Sequence, residues 1–325
     1  MAHRFIQDLR AGEQIEHQVF LVRSKDLRTT TQGSLYIHAV LMDRTGQLVA
    51  RMWQASEDIF KFLPEGGFVA LKGRVEAYKG NPQFIIEAVR PAEPGSFEIG
   101  DFVATTARDI DAMWGRLQEL LGGIKNDDVQ AIIQMFLKDE ALVAAFRKAP
   151  AAVVMHHAYM GGLLEHTLNL LEIASKVIPM YPQLNLDLVL AGLFLHDIGK
   201  TRELTYEAAI GYSDEGQLVG HIAQGVLMLQ AKAEALAAER GKPLPDRLLW
   251  SLQHIILSHH GKYEFGSPKL PALPEAIAVH YLDNLDAKIN MFLGEIDADR
   301  DPESHWTNFN RAIETKVFKL KPLED

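Results

Sequence analysis

The spacing of apolar residues changes once along this 325-residue chain, and that change limits the folds open to it. Up to about residue 95 the apolar positions come in short runs rich in Val, Ile, Leu and aromatics, as in strands. The runs are Ile15–Arg23, Ser34–Asp43, Leu48–Trp53, Val69–Tyr78 and Gln83–Val89. Arg44-Thr45-Gly46 and Lys79-Gly80-Asn81-Pro82 supply turn residues between neighbours. Ser56–Leu63 reads as one short helix capped by Ser56 and closed by Pro64-Glu65-Gly66-Gly67.

Three strands, a helix and two strands is the element order of an OB-fold barrel, shared in part by SH3-like and other small barrels. Pro91–Gly100 (PAEPGSFEIG) forms a joint, and beyond it the period becomes helical. Helices are expected over Asp109–Leu121, Asp127–Arg147, Gly162–Val177, Leu186–His196, Gln217–Arg240, Pro245–His259 and Pro274–Leu293. The expected fold is multidomain: an OB-type barrel over residues 1–95, a helical connector over 96–150 and an all-α bundle over 151–325.

Composition excludes several classes. With 47% hydrophobic and 23% charged residues the chain is globular. Its net charge of -10 argues against a polyanion-binding coat over the whole surface. Residues 1–95 hold 12 Lys+Arg against 11 Asp+Glu, so the barrel is the less repulsive face. Cysteine is absent, which removes disulfides, thiolate metal sites and Cys nucleophiles and fits a reducing compartment. The start, MAHRFIQDLRAGEQ, lacks the apolar core of a secretory signal. The most apolar run, Leu186–Leu195, has half of the about 20 residues a membrane span needs. A soluble, cytoplasmic protein without a membrane partner is expected.

Ten of the 13 histidines lie between His156 and His305. Five elements recur at expected helices or their ends: His166 (GGLLEHT), His196-Asp197 (LFLHDIGK), His221 (VGHIAQG), His259-His260 (LSHHGK) and Asp283 (HYLDNLDAK). Imidazole and carboxylate without thiolate, projecting from facing helices, suit Mn, Fe, Co, Ni, Zn or Mg. A carboxylate such as Asp197 can bridge two cations while the adjacent imidazole binds one, and paired cations clamp the oxygens of a phosphoryl displacement. Asp197 and Lys200, one turn later, are the candidate catalytic residues, Lys200 as a point charge for phosphate. His254, His280 and His305 read as packing or surface residues, and His156 and His157 as supporting groups, substrate groups or plain loop. A lone His-Asp pair is common by chance; five ordered elements closing with an Asp are hard to assign to packing.

In this order H…HD…H…HH…D resembles the HD-domain phosphohydrolase superfamily. The strings HHAYMGGLLEHT, HDIGK, GHI, ILSHHG, EFGSPKLP and HYLDNLDAK, behind an OB-like domain, resemble the YhaM-type 3'–5' exoribonucleases over nearly the whole chain. The resemblance implies an HD-domain bundle with metal ligands His166, His196, Asp197, His221, His259, His260 and Asp283, with Asp286 kept as a supporting group. It implies one cation at His166, His196 and Asp283, another at His221 and the 259–260 pair, and Asp197 between them. Two divalent ions follow, Mn2+ first, with Co2+, Fe2+, Ni2+ and Mg2+ open. The implied substrate is single-stranded RNA, with single-stranded DNA and a homo-oligomer left open. The related cyclic-dinucleotide phosphodiesterases carry a GYP segment after the double histidine; here the chain reads HHGKYEFGSPKLP. Gly261–Pro271 is expected to border the site, with Lys262 and Lys269 as phosphate contacts or simply solvated lysines.

An OB barrel binds single strands by stacking bases on aromatics beside basic residues. Tyr78 and Lys79 have the best case here, with Lys25, Arg28, Lys72 and Arg74 as further contacts and Tyr36 and Arg51 in reserve; Trp53 and Phe84 are expected in the core. Two rival readings remain: a small-nucleotide phosphohydrolase, and a nucleic-acid-binding factor with a weakly active helical domain.

Overall fold

The computed structural model describes residues 3–78, 81–93, 95–153, 157–206, 210–299, 301 and 303–320. The chain divides into two compact units, Met1–Thr105 with Thr205–Gly211, and Thr106–Leu204 with Tyr212–Asp325.

In the first unit the strands β1 (Gln14–Thr29), β2 (Leu35–Asp43), β3 (Gly46–Trp53), β4 (Phe68–Tyr78) and β5 (Asn81–Pro91) close a barrel in the order β1-β2-β3-β5-β4. Closure needs one strand long enough for two neighbours. β1 pairs with β4 from Gln14 to Leu21 and with β2 from Leu21 to Thr29, the latter pairing carrying a bulge between Val22 and Ser24. That is why the polar Ser24–Thr29 continues the strand beyond its apolar run. A parallel pairing of Val49–Arg51 with Gln83–Ile85 completes the ring. Alternate residues point inward, and the Phe20 and Phe84 rings meet 5.4 Å apart in the core. Helix α1 (Glu57–Phe62) starts at Ser56, whose hydroxyl accepts from the Ile59 N–H, a cap of about 1 kcal/mol.

One buried carboxylate ties the barrel's edge. Asp43 accepts from the N–H of Ile6 at 2.5 Å, and from the N–H and hydroxyl of Thr45 at 2.7 and 2.6 Å. Beyond β5 the Phe97 and Phe102 rings fold onto Phe68, at 4.4 and 5.0 Å, so the segment after Pro91 stays with the barrel as far as Thr105.

The second unit is helical: α2 (Ile110–Gly122), α3 (Asp127–Leu137), α4 (Glu140–Lys148), α5 (Gly162–Val177), α6 (Leu186–Leu195), α7 (Lys200–Glu203), α8 (Asp214–Arg240), α9 (Asp246–Ser258) and α10 (Pro274–Ala298). The expected helix over Asp127–Arg147 is two, because the Asp139 side chain accepts from the Leu142 N–H and starts a new helix there. Helices α2 and α4 pack on α5, and α3 on α8, within this unit. Helix α6 is apolar all round, with Val189 to Leu195 buried, and packs against α5, α9 and α10. A helix of that composition belongs at the centre, and it delivers His196-Asp197 there. Among the described residues no helix is long and apolar enough to cross a membrane.

Candidate metal centre

Each histidine of the set is held by one ring nitrogen and presents the other. His196 follows the last turn of α6, and its Nδ1–H donates to the Leu193 carbonyl at 2.7 Å. His259 follows α9 in the same way, donating from Nδ1 to the Ile256 carbonyl at 2.8 Å. His260 donates from Nδ1 to the Phe265 carbonyl at 2.7 Å. His166, on α5, has its Nδ1 2.7 Å from Asp286 Oδ2, and His221, on α8, has its Nδ1 3.0 Å from Glu203 Oε1. Carbonyl and carboxylate oxygens accept only, so these contacts place a proton on Nδ1 and direct Nε2 to the interior.

The positioning of His221 depends on two glycines. Gly220, at φ 75° and ψ 155°, breaks α8, so the His221 N–H is free of the helix and donates to Glu203 Oε1 at 3.0 Å. Gly199 lies against the backbone of α8: a Cβ there would come 2.0 Å from the His221 carbonyl oxygen.

The free ends converge on Asp197. Its Oδ1 is 3.5 Å from Nε2 of both His221 and His259, and its Oδ2 is 3.3 Å from Nε2 of His196 and 2.6 Å from Lys200 Nζ. Asp283 Oδ1, from α10, is 3.1 Å from His166 Nε2 and 3.9 Å from His196 Nε2. Two triplets have donor atoms mutually within 4.8 Å: His221, His259 and His260, and His166 and His196 with Asp197. Nε2 of His196, His221 and His259 and Oδ1 of Asp197 are buried without a hydrogen-bond partner among the described residues. Buried polar atoms left unsatisfied cost about 1–3 kcal/mol each, so four at one point fit a site built for cations. A third triplet, His157, His166 and Asp286, is a hydrogen-bonded support: Asp286 Oδ2 is 2.9 Å from His157 Nε2, and Asn169 donates to Oδ1 at 3.2 Å.

Electrostatics set His166 apart from His259 and His260. Burial would raise the Asp197 carboxyl, but Lys200, His196 and His259 outweigh it and hold the group well below the usual carboxylate range. Asp283 and Asp286 are also depressed against burial, chiefly by His166 and His157 beside them. Burial opposes protonation of His166 too, yet Asp283 and Asp286 push it up to about 9. Burial, reinforced by His259, lowers His260 to about 4, and burial lowers His259 despite Asp197, so both are neutral imidazoles at pH 7.

All seven expected ligands therefore meet at one place. Lys200 is not directed outward: its ammonium is spent on Asp197. Lys262 and Lys269 are exposed, with the Lys262 ammonium 3.2 Å from Glu264. Glu203 was missed; a lone carboxylate has no spacing signal, though it lies one turn past Lys200.

In the barrel, Phe84 is core as expected, but Trp53 is not. Leu48 and Ala50 point inward, so the alternation turns Arg51 and Trp53 outward, and Trp53 is 45% exposed. The Arg51 guanidinium lies 5.7 Å from the Trp53 ring and 4.9 Å from Tyr78, which is 47% exposed, and Tyr36 is 5.1 Å from Trp53. Four of the expected cations have local partners. Lys25 donates to the Phe60 carbonyl at 2.5 Å, and Arg28 pairs with Asp26 at 2.7 Å. Lys72 pairs with Glu16 at 2.9 Å, and Arg74 pairs with Glu76 and Glu87 at 2.8 and 2.7 Å. Lys79 and His156 lie outside the described residues.

A five-strand barrel carrying exposed aromatics, and a helical unit whose core gathers five imidazoles and two carboxylates, define an OB-fold protein with an HD-type centre. Family models agree: an HD domain matches residues 163–288, and an OB-fold nucleic acid binding domain matches residues 21–92. The 3'-5' exoribonuclease YhaM of Bacillus subtilis is 36% identical over 309 residues, covering 94% of this chain and 95% of its own. The protein of that name from Geobacillus sp. is 36% identical, covering 96% and 93%, and that of Shouchella clausii 33% identical, covering 98% of each. This chain belongs to the YhaM family of exoribonucleases.

Proposed function

We propose that this chain is a metal-dependent 3'–5' exoribonuclease that releases nucleoside 5'-monophosphates from single-stranded RNA. The observation that carries the reading is the convergence of buried, unpartnered Nε2 atoms from His196, His221 and His259 on Asp197. That donor set suits two divalent cations, one at His166, His196 and Asp283, the other at His221, His259 and His260, with Asp197 shared between them; Mn2+ is the first choice for such nitrogen and oxygen ligands. Cations held there would supply charge neutralisation at the scissile phosphate and activation of water. The chain's own part is preorganisation. Leu193, Ile256, Phe265, Glu203 and Asp286 fix the five rings by their Nδ1 atoms. Lys200 keeps Asp197 ionised and oriented.

The barrel's role is to capture the strand on Tyr36, Trp53 and Tyr78, with Arg51 among them, in place of the locally partnered Lys25, Arg28, Lys72 and Arg74. The lack of cysteine suits work in the cytoplasm. A denaturing gel of 5'-labelled RNA incubated with protein and Mn2+, with and without EDTA, tests the reading. A metal-dependent ladder shortening from the 3' end is expected. Hydrolysis of free nucleotides alone would reassign the substrate, and binding without cleavage would leave a binding factor.

A further inference from the structure

The turn after the double histidine is built more firmly than a solvent loop requires. Ser267 is buried, and its hydroxyl lies 3.0 Å from the Leu257 carbonyl and 2.8 Å from that of Lys269. The N–H of Lys269 donates to the same Leu257 carbonyl at 3.2 Å, and the Ser267 N–H to the Lys262 carbonyl at 3.2 Å. The turn is thereby fastened to the last residues of α9. Its Phe265 carbonyl in turn accepts the Nδ1–H of His260.

On this fixed backbone the two largest side chains face water: Tyr263 is 64% exposed and Phe265 57%. The Lys262 ammonium lies 5.2 Å from the Phe265 ring centre. Exposed rings on an anchored turn, with a cation beside one of them and one hydrogen bond from a candidate ligand, are the ingredients of a base-stacking platform. The bond from His260 to the Phe265 carbonyl sets this turn beside the centre.

We propose that Tyr263 and Phe265 form the subsite for the 3'-terminal nucleobase. This rests on the exoribonuclease reading. The platform takes any base, because stacking needs only a π-face, and it places the terminal phosphodiester against the centre.

The test uses the full chain with Mn2+ and two 5'-labelled oligoribonucleotides that differ only in whether the 3'-terminal ribose carries a base. For the wild type, kcat/KM for removing the terminal residue should be about tenfold or more higher with the base present. In Phe265→Ala with Tyr263→Ala that ratio should fall towards one, while melting temperature and bound Mn2+ stay at wild-type levels, because the carbonyl that holds His260 is main chain. Phe265→Trp should restore the ratio. A double variant that keeps the wild-type ratio, or a wild type indifferent to the base, overturns the proposal. Failure of the wild type to shorten either RNA overturns the underlying reading instead, and the subsite with it.

Discussion

Glu203 accepts two hydrogen bonds from His221, from the backbone N–H and from the ring Nδ1–H, each at 3.0 Å. The carboxylate thus sets both where α8 restarts and which way the imidazole points. Groups that orient a metal-binding histidine are worth about 10–100-fold in affinity. Glu203→Ala should weaken Mn2+ binding by that factor, with RNA cleavage partly restored at high Mn2+. Titration of activity against free Mn2+ reads this directly, and an unchanged titration would remove Glu203 from the account.

Gly199→Ala should act on the same histidine from the other side. The added methyl would meet the His221 carbonyl oxygen at 2.0 Å and the Gly225 nitrogen at 2.9 Å, both backbone atoms that cannot turn away. Overpacking of this kind costs about 1–3 kcal/mol. Cations that bind the centre would raise the melting temperature of the wild type by mass action. The variant should melt lower and gain less from added Mn2+.

For the barrel, the expected order of effects differs from one drawn on charge alone. Trp53→Ala should weaken binding of single-stranded RNA about tenfold or more with little change in salt dependence. Arg51→Ala should also flatten the plot of log affinity against log salt by about one unit. Lys72→Ala, with its cation already paired to Glu16, should stay within about twofold. Filter binding across a salt series separates the three.

Asp43 makes the barrel's stability depend on pH. Burial raises its carboxyl, but hydrogen bonds from His3, Thr45 and Ile6 outweigh that and lower it below its ordinary value. A depressed carboxylate stabilises the folded state above its unfolded pKa, near 4, and loses that contribution as pH falls through the folded value. Asp43→Asn should therefore destabilise the barrel by about 1–3 kcal/mol at pH 7. The gap to the wild type should close below about pH 4. Amide exchange at Ile6 and Thr45, followed between pH 7 and pH 3, reads the difference.

The parts legible in sequence are those with a period or an order. Helix α5 runs over Gly162–Val177 as its spacing predicts, and Ser56 caps α1. The ordered histidines and aspartates meet because α5, α9 and α10 pack on the apolar α6, and α8 packs on α7 and α9. What escaped depends on partners distant in the chain or on a rule read too loosely. Asp286 binds His157 and His166, 129 and 120 residues away, which no local pattern encodes. Trp53 was legible: strict alternation from Leu48 and Ala50 puts it outside, and only the tendency of aromatics in a small barrel to be core argued otherwise. Lys200 sits three residues after Asp197, the spacing of an ion pair on one helical face, and that spacing prevails over an outward reach to phosphate.

A shared Asp197 would unite two cation sites in one hydrolytic centre. Metal content measured by mass spectrometry on protein equilibrated with Mn2+ and desalted, for wild type and Asp197→Asn side by side, tests it most directly. About two Mn2+ per wild-type chain are predicted, with loss of at least one in the variant and of RNA cleavage by about a thousandfold, RNA binding being retained. An Asp197→Asn protein that holds as much Mn2+ as the wild type and degrades RNA at the same rate would contradict the account.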